Sequence, residues 1–306
     1  MQPNISVIVP VFNDPRGLEV TIDSLVRQRA SRPYEVIVVD NGSTDATPEV
    51  ADRLRSAHPD RVVSARESRL RSSYAARNEG IRTARGEVLC FVDADMWAPP
   101  DYVERVARAF DGAVDYLGCR VEIVANPPTL AAWYNRAVGF PVREYLERYH
   151  FAPTCALCVR RRVIDAVGAF DDRLESGGDM EFGQRVHAAG FRQGFADAIV
   201  LSHPARSSYR SLLAKQRRLA RGAAQLVHYY PERYRHLADR FRTLNYYLPS
   251  RPGWLSDRLG AAGYPVSRLH AVGIAFWAAP LAWIEPLVFA REARRLRARE
   301  RAGTVA

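Results

Sequence analysis

The sequence has none of the glycine-rich phosphate loops that mark the commonest nucleotide folds. No G-x-G-x-x-G opens its first helix and no G-x-x-x-x-G-K-S/T occurs, so neither the dinucleotide fingerprint nor the Walker loop is available. Cysteine is scarce: Cys90, Cys119, Cys155 and Cys158 are too few and too irregular for a disulfide framework. Cys155-x-x-Cys158 lacks a second pair at finger spacing, which favours buried thiols over zinc or redox chemistry. No signal-like segment precedes the strand-like run at Ile5, so a reducing, cytoplasmic setting is expected. There is no internal repeat and no low-complexity linker, and the basic residues are nearly all arginine. What is present is 306 residues with 47% hydrophobic content, enough to bury a substantial core. A formal charge of +10 and a pI near 9.7 favour anionic partners such as nucleotide phosphates, acidic lipid or nucleic acid, without selecting among them.

The most informative stretch is Gly86–Pro100, GEVLCFVDADMWAPP. Val88, Leu89, Phe91 and Val92 suit a strand buried on both faces of a parallel sheet, and Asp93 and Asp95 fall at its C-terminal end, where open α/β sheets bind ligands. Two carboxylates just past a buried strand repel each other unless something positive lies between them. A hard divalent cation holding phosphate oxygens meets that need. An Asp-rich turn is the alternative that spacing alone leaves open.

The flanking pattern is strand, loop, helix, three times over. Ile5–Pro10 and Tyr34–Asp40 are apolar strands and Arg61–Ala65 is a third. Helical spacing runs from Leu18 to Arg29, from Thr47 (as N-cap, with Pro48 next) onward, and from Tyr74 to Arg85 with Gly86 ending it. Crossovers of this length join parallel strands, so a doubly wound, mostly parallel α/β sheet is expected, with Asn13, Asp14, Asp40, Asn41, Asp93 and Asp95 at one edge. Further on, the pattern predicts a helix at Tyr102–Phe110 and a strand at Tyr116–Val124. It then predicts a helix over Glu181–Ala189, a strand at Ala198–Leu201 leading to His203, and a long helix from Ser207 to His228.

Several of these stretches agree with one family. Val9-Pro10-Val11-Phe12-Asn13, Val38-Val39-Asp40-Asn41-Gly42-Ser43-Thr44-Asp45, Ala76-Arg77-Asn78-Glu79-Gly80-Ile81, Phe91-Val92-Asp93-Ala94-Asp95 and Gly178-Asp179-Met180-Glu181-Phe182 with Arg185 resemble, in order and spacing, the family 2 glycosyltransferases with a GT-A fold. The resemblance covers about residues 5 to 225 and implies an inverting, Mg2+- or Mn2+-assisted transfer from a nucleoside-diphosphate sugar, a UDP-sugar favoured, to a hydroxyl acceptor on a glycan or lipid-linked glycan. Asn41 stands where the family often has a second Asp, and Gly178 where it usually has Glu. Gln216-Arg217-Arg218-Leu219 does not complete the Q-x-x-R-W pattern of processive synthases, which points to single-sugar transfer.

The resemblance also assigns roles. A cation at the departing diphosphate stabilises the transition state more than the ground state, and Asp95 is its expected ligand, with His203 as a further metal-side residue. A surface or satisfied core imidazole is the alternative for His203. Asp93 and Ala94 contact the nucleotide sugar, Asp93 through ribose or metal-bound water. Inversion in one displacement needs a base opposite the leaving group, and Asp179 is that base, an N-cap carboxylate being the other reading. Pro10, Val11 and Asn13 line the base and ribose pocket, Asp40 accepts a hydrogen bond from the base, and Ser43 lies beside it. Arg77 neutralises phosphate or pairs with Asp93, while Arg217, Arg218 and Arg221 either close over the diphosphate or form a solvated basic face.

The expected division is a catalytic domain over residues 1–228 and a helical extension over 229–306. Ala271–Ala290 is apolar for about the length of a membrane span but holds Pro280, Glu285 and Pro286, and the run Arg291–Arg301 that follows is strongly basic. Trp277 and Trp283 with that basic flank suit a helix lying on an anionic membrane, on the cytoplasmic face. A hairpin of core helices, packed on the domain or a second copy, is the alternative. Specific nucleic-acid binding is not expected. Competing classes are a sugar nucleotidyltransferase, which would need a lysine in the loop Val11–Gly17 that is absent, and a non-catalytic basic membrane- or nucleic-acid-binding module.

Overall fold

The computed structural model describes residues 4–248 and 251–302. Strands β1 (Ile5–Val11), β2 (Tyr34–Asp40), β3 (Val62–Arg66) and β4 (Val88–Phe91) alternate with helices α1 (Pro15–Val26), α2 (Thr47–Ala57) and α3 (Ser73–Thr83). Helix α4 (Tyr102–Ala109), β5 (Tyr116–Val124), α5 (Leu130–Val138), α6 (Val142–Tyr149), β6 (Leu157–Arg160), α7 (Arg161–Val167), α8 (Gly178–Ala188) and β7 (Gln193–Pro204) follow. The remainder is helical: α9 (Tyr209–Tyr229), the single turns α10 (Pro231–Tyr234) and α11 (His236–Asp239), α12 (Pro252–Ala261) and α13 (Arg268–Arg301).

The seven strands form one sheet in the order β3-β2-β1-β4-β6-β5-β7. β1, β2, β3 and β4 are mutually parallel, whereas β6 runs antiparallel to both β4 and β5, so the sheet is mixed and mostly parallel. β1, β2 and β4 are fully or nearly fully buried because helices cover both faces, which accounts for their unbroken apolar runs. The parallel arrangement sets the C-terminal ends of β1, β2 and β4 at one edge, as expected.

Glycine settles how closely the layers approach. A Cβ on Gly80 of α3 would lie 2.4 Å from Ile8 Cγ2 of β1, so only glycine lets α3 lie on the sheet at this distance. Gly86, expected to end α3, serves a different purpose. The helix stops at Thr83 with Ala84 extended, and a Cβ on Gly86 would meet the Ser6 amide nitrogen at 2.6 Å, so Gly86 admits β1 beside the entry to β4. Thr47 also differs from expectation. It is the first residue of α2, and its hydroxyl accepts from the Asp14 amide (3.0 Å) while donating to Asp45 (2.6 Å), joining two loops instead of capping its own helix.

The chain divides into two compact units: Met1–Glu122, Phe140–Arg173 and Gly178–Pro204 form one, and Ile123–Gly139, Leu174–Gly177 and Ala205–Ala306 the other. The second is helical. Its α13 packs along α9 and against α12, with Ala131, Leu212, Ala278 and Leu281 in one apolar cluster and Ala137, Leu255, Leu259, Ile274 and Ala275 in another. α13 runs as a single helix through Pro280 and Pro286. Pro286 has no N–H for the Ala282 carbonyl one turn back, and the Tyr246 hydroxyl lies 3.5 Å from that oxygen. Glu285 is not stranded in an apolar stretch, since Tyr246 Oη donates to it at 2.5 Å and Arg240 pairs with it at 3.1 Å. Arg221 donates through Nε and Nη2 to the two carboxylate oxygens of Glu175, which commits it within this unit.

Candidate active site

The residues that the sequence nominates for catalysis and donor binding lie in the first unit, at the C-terminal sheet edge, on α3, at the start of α8 and at the end of β7, except Arg217, Arg218 and Arg221, which lie on α9 in the second. The β1–α1 and β2–α2 loops are laced together. Asn13, in the left-handed region at φ 50°, donates its amide to Ser43 Oγ at 2.9 Å, and its Oδ1 accepts from the Thr44 amide at 2.8 Å. Asn13 thus ties the β1–α1 loop to the β2–α2 loop. The Val11 carbonyl accepts from the Asn41 amide (2.8 Å), Val11 is buried, and Pro10 is half-buried at the end of β1.

Asp40 closes its own turn. Its Oδ1 accepts from the Ser43 amide at 3.0 Å, closing the turn, while its buried Oδ2 has no hydrogen-bond partner among the described residues and lies 3.5 Å from Arg66 Nε. A buried carboxylate oxygen of this kind is an acceptor awaiting a donor.

The Asp93-Ala94-Asp95 turn is held from two sides. Thr21 of α1 donates to the Met96 carbonyl at 2.6 Å, and a Cβ on Gly17 would lie 2.5 Å from the Ala94 carbonyl, so α1 presses directly on the turn. Trp97 and Ser202 exchange backbone hydrogen bonds, each 3.0 Å, which fixes β7 alongside and brings His203 to the acidic turn. His203 Nε2 lies 3.9 Å from Asp95 Oδ1. Its Nδ1 is 2.6 Å from the Pro204 carbonyl, a contact that requires a proton on Nδ1 and leaves Nε2 as the lone-pair nitrogen of the neutral ring.

Asp93 is paired with Arg77, whose Nη2 donates at 2.6 Å while Nη1 donates to the Ser73 carbonyl at 3.2 Å. Of the two fates read for Arg77, pairing with Asp93 is the one observed. Asn78, next in the same helix, clamps the Phe170 backbone with both ends of its amide, at 2.9 and 3.1 Å. α3 therefore joins the acidic turn to the segment leading into α8.

α8 begins three residues earlier than expected, at Gly178, so Asp179 sits inside the first turn and is not an N-cap. Its Oδ1 accepts from the Met180 amide at 3.0 Å. Glu181 is buried and bound through both oxygens to Arg185, at 2.9 and 2.8 Å. Arg185 in turn donates to the carbonyls of Val167, Gly168 and Ala169, so this pair secures the approach to α8.

Asp93 and Asp179 come from two distant parts of the sequence, yet both are engaged from α3, Asp93 by Arg77 at 2.6 Å and Asp179 Oδ1 by the Tyr74 hydroxyl at 3.4 Å. Burial foremost, then the carboxylates of Asp93, Asp179 and Asp95 against an opposing Arg77, push the Cys155 thiol well above its ordinary pKa. Cys155 is thus a buried, neutral thiol. The other cysteines form a separate buried group around Tyr102, whose hydroxyl is 3.5 Å from Cys158 Sγ. Among the described residues no three His, Cys, Asp or Glu side chains are arranged to enclose a metal ion by themselves. Asp95 and His203 Nε2 suit instead a cation that takes most of its ligands from water and phosphate. Cys155 is the buried thiol that the sequence leads one to expect, whereas Tyr74 is given no role by the sequence motifs. For Tyr74 a signal was available, as it lies one turn before Arg77 on the same face of α3.

The chain matches the model of glycosyl transferase family 2 over residues 6–167 and that of glycosyl transferase family group 2 over residues 88–290. It is 34% identical over 278 residues to glycosyltransferase AglE of Haloferax volcanii, covering 89% of this chain and 90% of that protein. Pre-mycofactocin glycosyltransferase of Mycobacterium tuberculosis is 27% identical across 75% of this chain and 49% of its own length. Among solved structures, the mannosyltransferase PcManGT of Pyrobaculum calidifontis, in complex with GDP-Man and Mn2+, superposes with a TM-score of 0.60 at 21% identity, covering 96% of this chain and 87% of that one. S. aureus TarS 1-349 in complex with UDP-GlcNAc gives a TM-score of 0.54 at 18% identity, covering 98% and 92%. The sheet order, the edge where the motifs gather and these likenesses agree, and the chain belongs to the family 2 glycosyltransferases, enzymes of the GT-A fold.

Proposed function

We propose that this enzyme transfers one sugar, with inversion, from a nucleoside-diphosphate sugar to a hydroxyl of a glycan or lipid-linked glycan, using Asp179 as general base and a divalent cation at Asp95. The observation that carries the reading is that α3 engages both the acidic turn and the start of α8: Arg77 donates to Asp93 at 2.6 Å and, one turn before, the Tyr74 hydroxyl lies 3.4 Å from Asp179 Oδ1. In this reading residues 1–228 hold the catalytic machinery and 229–306 are an appendage.

The base of the donor is received at Asp40. Its orphan Oδ2 accepts a ring N–H, which uracil and guanine both present, beside Pro10, Val11 and the Asn13–Ser43 lacing. Asp93, oriented by Arg77, faces the ribose side, with Ala94 at the turn. A Mg2+ or Mn2+ ion bound by Asp95 and His203 would neutralise charge on the departing diphosphate. The proton held on His203 Nδ1 by the Pro204 carbonyl keeps Nε2 turned to that position. Asp179, ionised at the start of α8, takes the acceptor hydroxyl's proton as the new bond forms at the anomeric carbon. General base catalysis of this kind contributes about 10²–10⁴-fold.

The appendage supports a peripheral place on a membrane's cytoplasmic face. Leu269, Phe276, Trp283 and Leu287 are 81%, 63%, 45% and 68% exposed, and their spacing of seven, seven and four sets them on one stripe of α13. Exposed Arg291 and Arg294 continue the stripe. α13 is long and apolar enough to span a bilayer by length and composition, with 33% of its most apolar window buried in the protein. Trp277, packed edge-on against Tyr134 and Tyr209, and Glu285, engaged by Tyr246 and Arg240, turn the other side inward. An apolar stripe flanked by arginine on a helix packed to protein on its other side is the composition of an interfacial helix facing anionic lipid.

A thermal-shift series with UDP, GDP, ADP and CDP, each with and without Mn2+, tests the donor reading. A rise in melting temperature for UDP or GDP that depends on Mn2+ is expected, and no shift with any nucleotide would refute it.

A further inference from the structure

We infer that Tyr74 is a positioning residue for Asp179: its hydroxyl caps the N-terminus of α8 and directs its one proton at the base, occupying the space that a Glu at position 178 would need. The inference rests on the reading of Asp179 as general base.

Tyr74 lies in the first turn of α3, 4% exposed, with its ring against Phe170 at 5.7 Å between centroids. Its hydroxyl oxygen accepts from the amides of Gly178, at 2.9 Å, and Asp179, at 3.3 Å. These belong to the first turn of α8, where backbone donors have no partner inside the helix. Gly177, just before, stands at φ +84° and offers no side chain, so the cap is supplied from another helix. A hydroxyl has two lone pairs and one proton. With both lone pairs facing amides, the proton is directed at Asp179 Oδ1, 3.4 Å away.

The same ring accounts for the departure at position 178. A Cβ on Gly178 would lie 2.8 Å from both Tyr74 Cε2 and Cζ, so no side chain fits there while Tyr74 is in place. Gly178 and Tyr74 are therefore one arrangement, in which the tyrosine oxygen takes the ground beside the base. α3 then carries two links, Tyr74 to Asp179 and, one turn on, Arg77 to Asp93, so one rigid element sets the base relative to the acidic turn.

A hydrogen bond donated to the carboxylate stabilises its charged form, so losing it raises the pKa of Asp179. In the full chain, Tyr74→Phe keeps the ring and removes only the hydroxyl. With GDP-mannose and UDP-N-acetylglucosamine as probes, Mn2+ present and water as acceptor, kcat should fall ~10- to 100-fold with donor KM nearly unchanged, as for loss of one hydrogen bond to a charged group. The acidic limb of the kcat profile should move to higher pH. Site-specific 3-fluorotyrosine at position 74, a stronger donor of the same shape, should move that limb to lower pH. A measurement independent of turnover is the melting-temperature deficit of Tyr74→Phe, which should grow from acid to neutral pH and lose that dependence in an Asp179→Asn background. Wild-type kcat and an unmoved limb in Tyr74→Phe, or a deficit that ignores both pH and Asp179, would overturn the inference. If Asp179→Asn itself turns over normally, the base reading has failed. If Asp179→Asn is inactive while Tyr74→Phe is normal, only the positioning role has failed.

Discussion

Replacing Gly80 by alanine tests the layer contact on which the placement of Tyr74 and Arg77 depends. The new Cβ would sit 2.4 Å from Ile8 Cγ2 and 3.3 Å from both Ile8 Cγ1 and Val39 Cγ2. The nearest contact is short of ordinary carbon separation by more than about 1 Å. Ile8 is fully buried in β1 and β-branched, so it has little freedom to turn aside. Overpacking of a well-filled core costs about 1–3 kcal/mol, and the upper part of that range applies here. Alanine recovers up to about 1 kcal/mol of helix propensity, leaving a net loss of ~1–2 kcal/mol. For a protein of this size the melting temperature should drop ~2–4 °C for each kcal/mol. Chemical denaturation of Gly80→Ala, Ile8→Ala and the double variant measures the coupling directly. The Gly80 substitution should cost ~1 kcal/mol less once Ile8 is truncated, since the residues are in contact. A Gly80→Ala protein stabilised to the same extent in both backgrounds would mean that α3 does not lie on β1 as described.

Two further outcomes concern the second unit. Burial raises the pKa of Glu285, with Tyr246 and Arg240 opposing, so the folded state holds that proton more tightly than the unfolded chain does. Its contribution to stability is fully present below the ordinary carboxylate value and is lost as pH climbs through the raised one. Glu285→Gln should therefore melt near the wild type at about pH 4 and gain on it as pH approaches neutrality; a gain that shrinks with rising pH would refute this. Vesicle sedimentation tests α13: the full chain should bind phosphatidylglycerol vesicles, and Arg291→Glu with Arg294→Glu should weaken binding ~10-fold or more. Equal binding to neutral and anionic vesicles would contradict the proposed facing.

Much of the catalytic half was legible because buried parallel strands leave a simple trace. Tyr34–Asp40 and Tyr116–Val124 were delimited to the residue, and the polar groups at the strand ends fell on one edge. The reversal of β6 was not legible, since the segment before it holds two helices and nothing in its composition gives strand direction. β7 extends back to Gln193 through a half-exposed stretch whose polar residues hide the strand. Gly86 read as a helix stop because the close approach that requires it involves Ser6, far away in sequence. The link between Tyr74 and Gly178 was invisible for the same reason: the missing side chain and the ring that excludes it lie in different motifs. Neither Pro280 nor Pro286 ends α13, and at Pro286 the Tyr246 hydroxyl lies beside the carbonyl left without its helical donor.

The central claim is the division of labour between Asp95 and Asp179, and the most direct measurement is turnover and donor affinity of Asp179→Asn alongside Asp95→Ala, with Mn2+ varied. Asp179→Asn should bind nucleotide sugar much as the wild type does, with strengthening by Mn2+, and turn over at least ~100-fold more slowly. Asp95→Ala should lose the strengthening by Mn2+ itself. Wild-type turnover in Asp179→Asn, or an undiminished Mn2+ effect in Asp95→Ala, would contradict the account.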